Sequence, residues 1–247
     1  RAVQLFLTMA KCEHPKLLGS THFGNFLSYA IWTHYGDVED LLHKMLLSDS
    51  ENAVQNAAQL FFVAARNEPR AAEICASFST ASFAVRKGLA KVAAARIGLW
   101  EDRARCEEEL SKLFNDPDRA IRQIAATCFH DLSAEHFESA TTFIETFITS
   151  RAFEEHAFFF FDRLKEVPVH LPDIVCKAFE RSAALAQGRG GKAELDSGHF
   201  ASRTSTVLVR LYERTDSTEV KRQCLDIIDS LAKSPSIYDL ESVLQGH

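Results

Sequence analysis

The stretch "DPDRAIRQIAATCFHDL" (residues 116–132) decides how the chain is read. Its residue types, two arginines, a cysteine and a His-Asp pair, would suit a metal or phosphate site. Their order suits something else. Ile121, Ile124, Ala125, Cys128, Phe129 and Leu132 fall at i, i+3, i+4, i+7, i+8 and i+11, one face of an α-helix. Asp116 followed by Pro117 reads as a cap and then a proline at a helix start.

The same order recurs elsewhere. "DSENAVQNAA" (49–58), "TASFAVRKGLA" (80–90) and "TDSTEVKRQCL" (215–225) each place Asp or Thr five residues before a valine, with small or apolar residues after it. The four β-branched positions are Val54, Val85, Ile121 and Val220, separated by 31, 36 and 99 residues. A spacing in the thirties, or three times 33, is that of stacked helix pairs. A cap opens the inner helix, a β-branched residue starts its buried face, and small residues let the next helix come close.

Asp116, Pro117, Asp118, Ile121, Arg122, Ala125 and Ala126, with weaker copies near 49, 80 and 215, resemble the HEAT-repeat family of α-solenoids. The resemblance implies an all-α, right-handed α-α superhelix (HEAT/ARM-like) with a concave surface made by its inner helices. Helical spacing predicts thirteen or fourteen helices, over 2–12, 21–35, 37–47, 51–66, 69–78, 82–98, 101–114, 117–131, 134–149, 151–166, 172–187, 199–214, 217–233 and 236–245. Gly36 is expected to end one helix, Pro69 to begin another, and Glu135 and Glu138 to favour a helix N-terminus after Ser133. The whole chain, 1–247, reads as one repeat domain, with a possible subdivision near 188–198 and an irregular region between 133 and 200. Its first residue is Arg1, which fits a piece of a longer protein. Residues 205–244, through "LVRLYERT" and "CLDIIDSL", are also similar to the C-terminal helical end of large bacterial NTPases of the STAND class, where such repeats act as sensors.

Composition narrows the function. The chain has 247 residues, is 46% hydrophobic and carries a net charge of −6. That acidic balance argues against a general nucleic-acid binder, which gains its affinity by neutralising phosphates. No apolar run reaches the ~20 residues that cross a bilayer. The six cysteines are scattered without a CxxC, as in reduced thiols of a cytoplasmic protein.

Several constellations could carry chemistry. His130-Asp131 resembles the metal-binding pair of HD phosphohydrolases, a reading that needs further His or Asp ligands, with His34, His43 and His156 as candidates. Repeated His-Glu pairs of iron-binding HEAT-type enzymes are absent; only Glu-His occurs, at 13–14, 135–136 and 155–156. "GRGGKAELDSGHF" (188–200) is the one long glycine-rich connection, but Lys192 is followed by Ala193 rather than Ser or Thr, so it is no P-loop. Arg203, Arg210 and Arg214 lie at i, i+7 and i+11 on the following helix and, with Arg189 and Lys192, could form a basic patch for a protein partner or a phosphate backbone. A DNA-glycosylase-like groove would use Arg86, Lys87, Lys91, Arg119 and Arg122. "FEEHAFFFFDRL" (153–164) sets Phe158 to Phe161 in a row, which spans most of a helix circumference, so one or two must leave the main core.

These observations lead to the expectation of a non-catalytic interaction scaffold or sensor region that binds a protein partner, with no cofactor, metal or catalytic residue. Arg189, Lys192, Arg203, Arg210 and Arg214 are its candidate contact residues. Alternatives are a metal-dependent phosphohydrolase centred on His130 and Asp131, and phosphate-backbone binding by the arginines.

Overall fold

The computed structural model describes residue 8 and residues 15–99, 101–164, 171–188 and 197–232. Every regular element among them is helical, with no strand. The α-helices are α1 (Pro15–Leu18), α2 (Thr21–Leu46), α3 (Glu51–Ala64), α4 (Pro69–Cys75), α5 (Phe83–Arg96), α6 (Arg103–Leu113), α7 (Arg119–Ala126), α8 (Cys128–Asp131), α9 (Thr141–Ile148), α10 (Arg151–His156), α11 (Phe158–Leu164), α12 (Pro172–Gly188), α13 (Ser197–Arg214) and α14 (Thr218–Ala232). The all-α expectation holds. The chain divides into two compact units, Arg1–Ala125 and Ala126–His247. The expected subdivision near 188–198 and the helix at 236–245 lie largely or wholly outside the described residues.

In the first unit α3 is the central helix, packed between α2 and α5. Ser50 starts it, its hydroxyl accepting from the Ala53 amide at 3.4 Å. Ten of its fourteen residues are buried, including Val54, Ala57, Ala58, Phe61 and Phe62, so it is apolar nearly all round. Gly88 of α5 makes the close approach possible. A Cβ there would stand 2.6 Å from the Gln55 carbonyl oxygen and 3.0 Å from the Ala58 Cβ. The four β-branched positions, Val54, Val85, Ile121 and Val220, are all buried.

The second unit is built on phenylalanines. Phe129, Phe137, Phe147, Phe153, Phe160 and Phe179 are all fully buried. Phe160 lies at the centre, 5.1 Å from the Phe129 ring and 6.0 Å from that of Phe147. Of the four consecutive phenylalanines only Phe158 leaves the core, at 44% exposure.

Several boundaries differ from the sequence-based expectation. The helices expected over 21–35 and 37–47 run together as α2 but meet at a kink at His34 (φ −148°, ψ 40°), two residues before the expected break at Gly36. The helix expected over 134–149 starts as two 3-10 turns, Ala134–His136 and Glu138–Ala140, and becomes α-helical only at Thr141. Local side chains compete for the backbone there: Ser139 donates to the His136 carbonyl at 3.1 Å and Thr141 to that of Glu138 at 2.7 Å. Glu135 is taken by the Ser133 hydroxyl at 3.1 Å. The spans 117–131 and 151–166 each break in two, at Thr127 and Ala157.

Asp116 also differs from expectation. It does not cap α7 directly. Asp118 does, accepting from the Ala120 amide at 2.8 Å. Asp116 instead accepts from the Asp118 amide at 2.8 Å, turning the chain around Pro117, and receives Arg86 from α5 at 2.7 Å. Arg122 closes the cluster by donating to the Asp116 and Pro117 carbonyls at 2.5 and 3.1 Å.

Candidate functional site

The kink in α2 opens a cleft within the first unit. Its walls come from two places in the chain: Ile31, Trp32, His34, Tyr35, Gly36 and Glu39 around the kink, and Glu68, Pro69 and Arg70 at the start of α4. It is an open surface cleft of about 570 Å³. Pro69 fits the first turn of α4, where its missing amide proton costs nothing. That turn brings Glu68 and Arg70 opposite the kink.

Polar groups in the cleft are incompletely matched. Arg70 reaches Glu39 at only 3.7 Å, and the arginine side chain is 81% exposed. Glu68 makes no ion pair among the described residues. The Tyr35 hydroxyl is buried beside Glu39 without a well-formed hydrogen bond. Burial, and then the Glu39 and Glu68 carboxylates, hold that phenol above its ordinary pKa. Trp32 stands 45% exposed on the rim, with the Arg66 guanidinium 5.9 Å from its ring.

The residues expected to form the basic patch are only partly placed. Arg189 and Lys192 lie outside the described residues, as does the side chain of Arg203. Arg210 and Arg214 are exposed on α13, Arg214 in its last turn. His130 and Asp131 are exposed at the end of α8, and the His130 ring packs edge-on against Phe159 at 4.8 Å. Among the described residues no group of three or more His, Cys, Asp or Glu side chains is placed to hold a metal ion.

The basic row considered as a groove is largely engaged within the fold. Arg86 and Arg122 are bound into the Asp116 cluster. Lys87 pairs with Glu51 at 2.9 Å, and Lys91 donates to the Gln55 side chain at 2.7 Å. Burial of the Cys75, Cys106 and Cys176 thiols pushes each up to about 12, away from a reactive thiolate.

The cleft itself was missed by sequence reasoning. The signal was present in "IWTHYGDVE" (31–39), where Trp, His, Tyr and Glu crowd around a glycine inside a helical pattern. Treating the break near Gly36 as an ordinary helix boundary and His34 as a remote metal ligand hid it. No described helix is long and apolar enough to cross a membrane. No family model, curated protein or solved structure matches the chain.

Proposed function

We propose that the chain is a non-catalytic interaction scaffold of HEAT-like helix pairs wound into a right-handed superhelix, binding a protein partner. The observation that carries this reading is a recurring set of polar links between helices. Glu51–Lys87 and Gln55–Lys91 join residues 36 apart in sequence. Arg86–Asp116 spans 30, Arg163 to the Leu132 carbonyl 31, Lys177–Glu145 32 and Arg181–Glu154 27. Links repeating at this interval fit a stack of helix pairs with a repeat of about that length. A stack of this kind offers a long surface of exposed side chains, among which Arg210 and Arg214 are the candidate contacts.

The free thiols at positions 75, 106, 128, 176 and 224 support a reducing, cytoplasmic setting. The wider reading, a sensor end of a bacterial NTPase, rests on residues 205–244, of which 233–244 lie outside the described residues.

Photo-crosslinking in cells from positions 210 and 214 tests the proposal. The expected result is one discrete protein adduct, lost when Arg210 and Arg214 are both changed to Glu. No adduct from either position, together with substrate turnover by the purified chain, would overturn it. An adduct to nucleic acid, with steep salt dependence, would favour the phosphate-backbone reading instead.

A further inference from the structure

We propose that Cys176 and Cys224 form a redox site, at which hydrogen peroxide converts the two thiols into a disulfide that ties α12 to α14. Both residues belong to the second unit. The inference goes beyond the scaffold reading and stands whether or not α13 contacts a partner.

Two helices bring the sulfurs together. On α12 Cys176, Phe179 and Ala183 are buried at i, i+3 and i+7. On α14 Val220, Cys224, Ile227 and Leu231 are buried at i, i+4, i+7 and i+11. The two helices pack against each other, although the cysteines are 48 residues apart in sequence. Cys176 is 3% exposed and Cys224 0%. Their thiols are free, and the Cys176 S–H donates a hydrogen bond to the Cys224 sulfur. From that contact, side-chain rotation and a slight approach of the helices bring the sulfurs to the ~2.05 Å of a disulfide.

The hydrogen bond makes the two sulfurs unequal. Burial raises both thiols above their ordinary pKa. At Cys224 the Cys176 S–H and the residue's own backbone amide oppose that rise, because both donate to the sulfur and favour its thiolate. At Cys176 the Cys224 sulfur and the Glu180 carboxylate add to it and hold the proton in place. Cys224 is therefore the nucleophile and Cys176 the resolving thiol. The Cys224 thiolate, its proton passed to solvent, attacks one peroxide oxygen. An S–O bond forms, the O–O bond breaks, and the departing hydroxide takes up a proton as water. The Cys176 sulfur then attacks the sulfur of this sulfenic acid. An S–S bond forms, the S–O bond breaks, and the hydroxyl leaves with the Cys176 proton as a second water. Two thiols are oxidised and one peroxide is reduced to two waters. Burial suits this oxidant, which is little larger than water. In a reducing compartment such a bond is transient. While it lasts it braces α13, which packs against both α12 and α14 and carries Arg210 and Arg214.

Mass spectrometry of the full, reduced chain after treatment with hydrogen peroxide tests the assignment. The expected product has lost two hydrogens and yields one linked pair of tryptic peptides, 166–177 with 223–233. Dithiothreitol should restore the original mass. The oxidised chain should melt at a higher temperature than the reduced one, a gain that dithiothreitol removes. Single variants separate the roles: Cys176→Ser should leave a sulfenic acid on Cys224 that dimedone traps, and Cys224→Ser should leave none on Cys176. Thiols at 176 and 224 that survive the peroxide would sink the proposal, as would a main disulfide joining any other pair. Trapping on Cys176 in the Cys224→Ser chain, with none on Cys224 in the Cys176→Ser chain, would overturn the assigned roles.

Discussion

Arg86 Nε and Asp116 Oδ2 meet at 2.7 Å although the two residues are 30 apart in sequence. The Asp116 side chain is 2% exposed and that of Arg86 16%. The pair ties α5 to the turn that opens α7, and the Arg122 guanidinium donates to the backbone carbonyls of that same turn.

Removing the acid should therefore be costly. Asp116→Ala leaves the part-buried Arg86 guanidinium bonded to the Ala81 carbonyl but without its counter-charge, and urea unfolding should report a loss of about 1–3 kcal/mol. A double variant, Arg86→Met with Asp116→Leu, should lose clearly less than the two single changes summed. Additive losses would mean that the two side chains are not coupled.

Gly88→Ala tests the closeness of α5 to α3. The added methyl would meet the Gln55 carbonyl at 2.6 Å, and backbone cannot move aside as a side-chain tip can. The expected loss is about 1–3 kcal/mol, against the usual gain from placing alanine in a helix. Gly36→Ala is the control, because nothing lies within 4 Å of its Cβ position.

The phenylalanine run gives a graded pair. Phe160→Ala empties the centre of the second unit and should cost about 3–5 kcal/mol. Phe158→Ala, at a 44% exposed position, should cost about 1 kcal/mol or less. Thermal melts of the two variants should separate widely, and equal shifts would contradict the burial pattern.

Alkali should unfold the chain through its thiols. Burial raises Cys75, Cys106 and Cys176 from the usual 9.0 to about 12. Between those values the folded chain holds protons that the unfolded chain releases. Stability present below pH 9 is thus lost as pH rises towards about 12. Melting temperatures measured across this window should fall, and Cys106→Ala should flatten the slope.

Periodicity made the helices legible, because burial on one face of a helix is written directly into residue spacing. Val54, Val85, Ile121 and Val220 are buried, and Phe158 alone of its run stands outside the core. Boundaries were less legible where side chains compete with the backbone. Ser139 and Thr141 bond to carbonyls three residues back and hold the chain in 3-10 turns where spacing alone predicts an α-helix. The cleft was illegible for a different reason. It joins Tyr35 and Glu39 to Glu68 and Arg70, about thirty residues on, and only the kink at His34 brings them face to face. Asp116 was recognised as important, but its long-range partner could not be read from a local capping pattern.

The way Arg86 reaches forward to Asp116 limits how the chain can be dissected. Any fragment that keeps α5 but stops short of residue 116 strands an arginine, and any fragment that begins after α5 leaves Asp116 without its arginine. Limited proteolysis of the native protein should therefore spare the segment from 86 to 122 until late, and a recombinant piece meant to fold alone should carry that whole segment intact.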